Sequence, residues 1–229
     1  MAKKVEHKHE LLENSDALKE KLVVAESWIE QNPKLVIGIA LAVLVVVGGY
    51  FGFEYYKNNQ NIAAQKDMFQ AVYYFEADSL NLALNGDGNN LGFLAIIEDY
   101  GITDAGNLAN YYAGASYLKQ GKFELARLYL EDFSSSDLLV QARAYSLTGD
   151  AYMEEKNYEE AARFYNKASN YKPNKFFSPT YLMKEALAYE KLNQNDKAKE
   201  AYDKVINQYW DSSEYNNARK FKARLESNS

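Results

Sequence analysis

The second half of the 229-residue chain repeats one pattern of small and aromatic residues three times. Gly114 and Gly149 lie 35 residues apart, and a tyrosine follows each of them after three residues. Ala186 begins a third copy 37 residues after Gly149. The matching positions are Gly114, Tyr117 and Ala126, then Gly149, Tyr152 and Ala161, then Ala186, Tyr189 and Ala198. A period of this length predicts similar units, each stacked on the next.

The spacing within each copy is that of two packed helices. A glycine or alanine on the first helix lets the second helix approach closely, and we expect the tyrosine to pack between the two. On the second helix the alanine is followed four residues later by Leu130, Tyr165 or Tyr202, which is the spacing of one helix face. With three prolines and twelve glycines in the whole chain, the sequence predicts an all-α protein.

Each copy resembles the tetratricopeptide repeat, in which G-x2-Y precedes A-x3-F and a proline. Pro173 occupies the proline position in the second copy, whereas the third copy has Tyr209-Trp210-Asp211-Ser212 there. The resemblance implies an α-solenoid of helix hairpins. We therefore expect residues 107–229 to hold three tetratricopeptide repeats and a C-terminal capping helix.

A single apolar run precedes the repeats. Residues 35–53, LVIGIALAVLVVVGGYFGF, contain neither a charge nor an amide. At about 1.5 Å per residue such a helix spans the hydrocarbon core of a bilayer, which is about 30 Å thick. Trp28, Tyr55 and Tyr56 lie where interfacial aromatic residues are common. The sequence predicts one transmembrane helix, rather than a buried core helix or a cleaved signal peptide.

Residues 1–34 are predicted to be a cytoplasmic leader with a short amphipathic helix between Asp16 and Gln31. This helix either docks on a partner or the inner leaflet, or lies idle on lipid. The numbers of lysines before and after the span are too similar to decide the orientation. The segment of 176 residues from Glu54 onward is much longer than the leader, and long domains translocate largely regardless of their charge. We expect the N-terminus inside and the repeats outside. His7 and His9 could bind a metal, but no other ligand is near them in sequence, so they are interpreted as part of a solvated tail.

Residues 54–106 are predicted to form a linking helix and an atypical first hairpin. An apolar stripe at helical spacing runs from Ile62 to Leu84, and the sequence Asn85 to Asn90 then breaks the helix. This break resembles the start of a calcium loop but lacks the glycine and glutamate of that motif, so it is interpreted as a turn. A second helix is predicted from Leu91 to Tyr100.

Composition excludes several kinds of function. The 26 basic and 32 acidic residues give a net charge of −6, which is unfavourable for nucleic acid. The chain has no cysteine, and both of its histidines precede residue 10, so thiol and histidine-based catalysis are absent from the repeats. Acidic pairs such as Glu154-Glu155 have the spacing of solvated helix surfaces. The sequence predicts no catalytic, metal or cofactor site and no small-molecule substrate.

The resemblance to tetratricopeptide repeats places one face of each first helix on the surface that binds partners. Its apolar and methionine-containing composition suits an extended apolar segment better than a charged tail. The alternative is that Met153, Met183 and Leu187 belong to the core. The candidate partner-binding residues are Tyr111, Ala115, Leu118, Ser146, Asp150, Met153, Met183, Leu187 and Glu190.

The order of leader, anchor, helical segment and repeats resembles the YfgM-like ancillary subunits of the bacterial Sec translocon. The segments Glu26 to Lys34 and Ala105 to Gly114 carry this resemblance. It implies an inner-membrane adaptor at the translocon that binds exported chains or a periplasmic chaperone. The alternatives are a scaffold in another envelope complex, such as outer-membrane assembly or surface machinery, and an accessory enzyme with a carboxylate site.

Overall fold

The computed structural model describes residues 15–227, and within this range the chain is helical with no strand. The predicted all-α class is confirmed. The chain divides into two compact units, Met1–Tyr56 and Lys57–Ser229.

The first unit contains helix α1 (Ser15–Gln31) and the beginning of helix α2 (Pro33–Glu76). Pro33 separates the two helices, because proline has no N–H to donate and fits the first position of a helix. Within the described residues, α2 is long and apolar enough to cross a membrane, with a mean hydropathy of 2.5 over its most apolar window. It contains the predicted span, residues 35–53, and side chains such as Leu44 and Val45 are exposed.

The second unit begins at Lys57 and contains the end of α2 followed by nine helices. They are α3 (Leu80–Asn85), α4 (Phe93–Tyr100), α5 (Asp104–Lys119), α6 (Phe123–Asp132), α7 (Leu138–Glu154), α8 (Tyr158–Asn170), α9 (Ser178–Lys191), α10 (Asn195–Gln208) and α11 (Tyr215–Ser227). The pairs α5 and α6, α7 and α8, and α9 and α10 coincide with the three copies of the repeat.

The linking helix is shorter than its apolar stripe predicts. α2 ends at Glu76, and a turn separates it from the short helix α3, so the helix does not continue to Leu84. Asp78 in this turn has a φ of 54°, a left-handed conformation that a continuous helix cannot contain. The helical spacing of apolar residues continues across the turn, because the buried residues Ala83 and Leu84 of α3 pack on the same core as α2.

The connection after α3 is a turn stabilised by one carboxylate. Asp87 accepts hydrogen bonds from the Tyr74 hydroxyl at 2.7 Å and from the backbone N–H groups of Asn89 and Asn90 at 2.9 and 2.7 Å. These donors, the Tyr74 hydroxyl above all, hold the pKa of Asp87 well below its usual range. The Asp87 carboxylate thus accepts from the turn and from Tyr74 of α2, in agreement with the interpretation of this segment as a turn.

The two helices of each repeat approach each other at the small residue of the sequence pattern. A Cβ atom added to Gly149 would lie 2.7 Å from two carbons of the Tyr165 ring, so only glycine allows this approach. Gly114 faces Leu130 and Gly149 faces Tyr165, and in the third pair Ala186 and Tyr202 lie in one buried cluster. The same position therefore performs the same packing role in three successive pairs.

The remaining repeat-packing residues lie beside these contacts. The Tyr117 ring stacks on Tyr129 at 5.5 Å between centroids, and the Tyr152 ring stacks on Phe164 at 5.4 Å. Tyr189 packs partly buried against the core of the third pair. The alanines of the second helices, which are Ala126, Ala161 and Ala198, are fully buried.

Candidate partner-binding face

The nine predicted partner-binding residues lie on the first helices of the three repeats, α5, α7 and α9. They differ in accessibility, and only Leu187 is well exposed, at 44%. Those of the first helix are the least accessible, because α5 is enclosed by its neighbours on several sides. Tyr111, Ala115 and Ser146 are buried, Leu118, Asp150, Met153, Met183 and Glu190 are half-buried, and Leu187 is exposed.

The charge of Asp150 is balanced by the next repeat. Lys184 on α9 places its Nζ atom 2.8 Å from both carboxylate oxygens of Asp150 and 3.2 Å from the Ser146 hydroxyl oxygen. The Tyr165 hydroxyl donates a third hydrogen bond to Asp150 at 2.7 Å. Burial, followed by the nearby Asp150 carboxylate, raises the pKa of Tyr165, so the hydroxyl remains a donor. Asp150 is therefore satisfied within the protein.

Glu190 in the third repeat has a similar set of partners. The Tyr202 hydroxyl donates to its carboxylate at 2.6 Å, and Arg224 on α11 forms an ion pair with it. Burial, followed by the bond to Glu190, raises the pKa of Tyr202. The two carboxylates of the predicted face thus each have a tyrosine and a cation as partners, which leaves the apolar side chains as the face's available binding groups.

Sequence analysis missed the cations that complete these two arrangements. Lys184 follows Asp150 by 34 residues, and Arg224 follows Glu190 by 34 residues. The sequence signal that could have predicted these ion pairs is a basic residue about one repeat length after an acidic one. Side chains on facing surfaces of successive helix pairs become neighbours when the pairs stack.

The two methionines of the face take part in packing. Met153 lies against the cluster of Ala161 and Tyr165, and Met183 lies against the cluster that contains Tyr202. Leu187 belongs to neither cluster and extends toward solvent. The alternative of a core role thus fits Met153 and Met183 better than Leu187.

A second apolar surface lies between the end of α2 and α5. This groove has a volume of about 550 Å³ and is lined chiefly by Met68, Phe69, Val72 and Tyr73 of α2 with Leu108 and Tyr112 of α5. Met68 is buried, whereas Phe69 is 75% exposed. The apolar stripe of α2 is therefore only partly covered by the hairpins of the second unit.

One carboxylate is buried in the repeats. Glu185 on α9 accepts a hydrogen bond of 2.9 Å from the Asn166 side-chain amide on α8, and the Ser169 hydroxyl lies 3.5 Å away. Burial raises the pKa of Glu185. Its partners tie α8 to α9, so its role in the described contacts is to join successive repeats. Among residues 15–227 no cluster of three potential metal ligands occurs, and His7 and His9 lie outside the described residues.

Comparison with known families identifies the repeats. Two family models, each described as tetratricopeptide repeat, match residues 111–174 and 181–212. No curated protein matches the sequence of the chain. The first match runs from within α5 through α8, and the second runs from within α9 through α10. The second unit therefore contains tetratricopeptide repeats, which are typically non-catalytic and indicate a protein-interaction adaptor or scaffold.

Proposed function

We propose that the protein is a membrane-anchored adaptor at the Sec translocon that binds exported polypeptides or a periplasmic chaperone. Residues 35–53 anchor it in the bacterial inner membrane, with residues 1–34 in the cytoplasm and the repeats in the periplasm. The tetratricopeptide repeats and the apolar length of α2 support an anchored adaptor. The Sec assignment rests on the resemblance in domain order and in the segments that flank the anchor.

The observation that carries the choice of partner is the internal balance of charge on the first-helix face. Asp150 and Glu190 are each satisfied by partners from the protein itself. A partner that supplied a charged tail would have to displace these partners and leave buried or half-buried groups unpaired, which is costly. An apolar, extended segment packs beside Leu187 and Leu118 without disturbing either ion pair, as expected for an unfolded exported chain.

Site-specific crosslinking tests the binding face. We expect a photoreactive amino acid at Leu187 to crosslink an exported chain in cells, because this side chain lies on the first-helix face and is exposed. The same substitution at Leu128, a 56% exposed leucine on the second helix α6, is the matched control and should give few crosslinks. Equal yields from both positions would argue against a specific binding face.

Purification from mild detergent tests the translocon assignment in the same strains. Recovery of Sec channel components with the wild-type protein supports the proposal. Recovery of another envelope complex without any channel component would favour a scaffold role elsewhere in the envelope.

The proposed orientation predicts a specific labelling pattern. The chain has no native cysteine, so a cysteine introduced at Ser136 or at Ser15 is unique. Ser136 lies exposed in the connection before α7, and its side chain takes no part in the hydrogen bonds of that connection. We expect a membrane-impermeant thiol reagent to label S136C in cells with a permeabilised outer membrane, and to label S15C only after lysis. The reverse pattern would exclude a periplasmic partner.

A further inference from the structure

The connections between successive helix pairs expose large apolar side chains. Phe176 and Trp210 are 73% and 71% exposed, and the others of this set are at least 40% exposed. They occur in or beside each of the four connections that precede α5, α7, α9 and α11. We call this set the inter-repeat edge, and it consists of Ile102, Leu138, Leu139, Phe176, Phe177 and Trp210.

Hydrogen bonds join these connections into one continuous edge of the second unit. Each bond links one connection to the next or to the helix start beside it, at distances between 2.7 and 3.2 Å. The bonded pairs are Asn107 and Ser134, Tyr171 and Ser135, and Lys175 and Asp211. The exposed apolar side chains are thus held in a row rather than scattered over the surface.

The opposite edge of the same repeats is polar. It is formed by the turns within each helix pair, which comprise residues 120–122, 155–157 and 192–194. Apart from the half-buried Leu192, the residues of these turns are charged, amide-bearing or glycine. An apolar row on one edge only indicates a surface that contacts something less polar than water.

Contacts at the start of α5 place the inter-repeat edge beside the residues that follow the apolar run. The Ala105 N–H donates to the Asn61 side-chain oxygen at 2.9 Å, and Lys57 lies 3.5 Å from Asp104. Lys57 follows Phe53, the last residue of the run, by four residues, which reach at most about 14 Å even when fully extended. Along the chain, the residues that contact the start of α5 thus begin only four positions after the apolar run.

The polar edge, formed by the turns within the helix pairs, contacts residues much further along the chain from the apolar run. Lys119, at the end of α5, pairs with Asp78 at 2.8 Å, and Asp78 follows Phe53 by 25 residues. The two ends of α5 thus differ in their distance from the apolar run along the chain.

We propose that the inter-repeat edge is a docking surface for the lipid bilayer interface. This proposal rests on the membrane anchor of the proposed function. Tryptophan, phenylalanine and leucine favour the boundary between headgroups and acyl chains, and they enter it as separate protruding side chains without needing a pocket. A small apolar ligand would instead require a concave site such as the α2–α5 groove.

The charges along the edge are compatible with lipid headgroups. Asp137 accepts hydrogen bonds from the backbone N–H groups of Leu139 and Val140 as the cap of α7. Asp211 is paired with Lys175. Both of these carboxylates thus have a partner within the edge, and the aliphatic part of Lys175, beside Phe176, can lie in the interface.

Depth-dependent fluorescence quenching in vesicles of phosphatidylethanolamine and phosphatidylglycerol tests the proposal on the full chain. The chain has two tryptophans, so W28F leaves Trp210 as the single reporter. We expect a nitroxide attached to the acyl chain near the headgroup to quench Trp210 about twofold, since interfacial side chains lie about 5–10 Å into the headgroup and acyl boundary.

Two further single-tryptophan variants in the W28F/W210F background provide the controls. D196W places the reporter at the start of α10, whereas Trp210 follows its end, about 20 Å away along a helix of this length. Its emission should not change, because the Asp196 side chain is 99% exposed beside the polar edge. L44W reports the anchor itself and should be quenched by a nitroxide at the bilayer centre.

The outcomes separate the edge from the anchor. Quenching of Trp210 and L44W but not of D196W supports the proposal. Quenching of L44W alone overturns lipid docking by the edge and leaves the anchored adaptor intact, whereas no quenching of L44W overturns both. A blue shift of Trp210 that grows with the protein-to-lipid ratio, without quenching by lipid, would show that a second copy covers the edge, and this also overturns the proposal.

Discussion

Replacing Gly149 with valine is expected to destabilise the repeats by about 3 kcal/mol, near the upper end of the usual cost of overpacking. The first added carbon would already lie 2.7 Å from two Tyr165 ring atoms. The ring cannot move aside freely, because it is 2% exposed and its hydroxyl is bonded to Asp150. Relief therefore requires α7 and α8 to separate, which also weakens the ion pair between Asp150 and Lys184.

Urea denaturation of the detergent-solubilised full chain, followed by far-ultraviolet circular dichroism, measures this loss. Glu154→Val is the matched control, since it introduces the same β-branched residue at an exposed position of the same helix. It should cost only about 0.5 kcal/mol through helix propensity. Similar losses for G149V and E154V would mean that close approach at Gly149 contributes little to stability.

Replacing Tyr202 with alanine is expected to cost about 4 kcal/mol, as for other large aromatic residues removed from a core. Tyr202 is 1% exposed and lies among residues from α9, α10 and α11, with its ring 6.0 Å from that of Phe221. Because each repeat is stabilised mainly by its neighbours, the loss should concentrate at the C-terminal end. Hydrogen exchange should accelerate in α10 and α11 and remain slow in α5.

Tyr202→Phe separates packing from hydrogen bonding at the same position. It retains the ring and removes only the hydroxyl that donates to Glu190, which keeps Arg224 as a partner. We expect a loss of about 1 kcal/mol, typical of one hydrogen bond. Equal losses in Y202F and Y202A would assign the effect to the bond, and equal acceleration of exchange in α5 would contradict local fraying.

Local patterns in the sequence predicted much of the second unit. The spacing of Gly114, Gly149 and Ala186 gave the frame of the three helix pairs, because the same short pattern recurs in each copy. The apolar run at residues 35–53 required only its length and composition. The turn at Asp78 was missed because apolar spacing continues across it, and the period of side chains does not report the backbone conformation between them.

The sequence by itself determined the helical class, the repeat frame and the candidate anchor, because all three depend on patterns along one helix or within one repeat period. Only the tertiary structure decided that Lys184 satisfies Asp150, that Met183 packs while Leu187 is exposed, and that Phe176 and Trp210 share an edge. These relations join residues about one repeat apart. They arise when neighbouring helix pairs stack, because the orientation of one pair against the next determines which side chains are in contact.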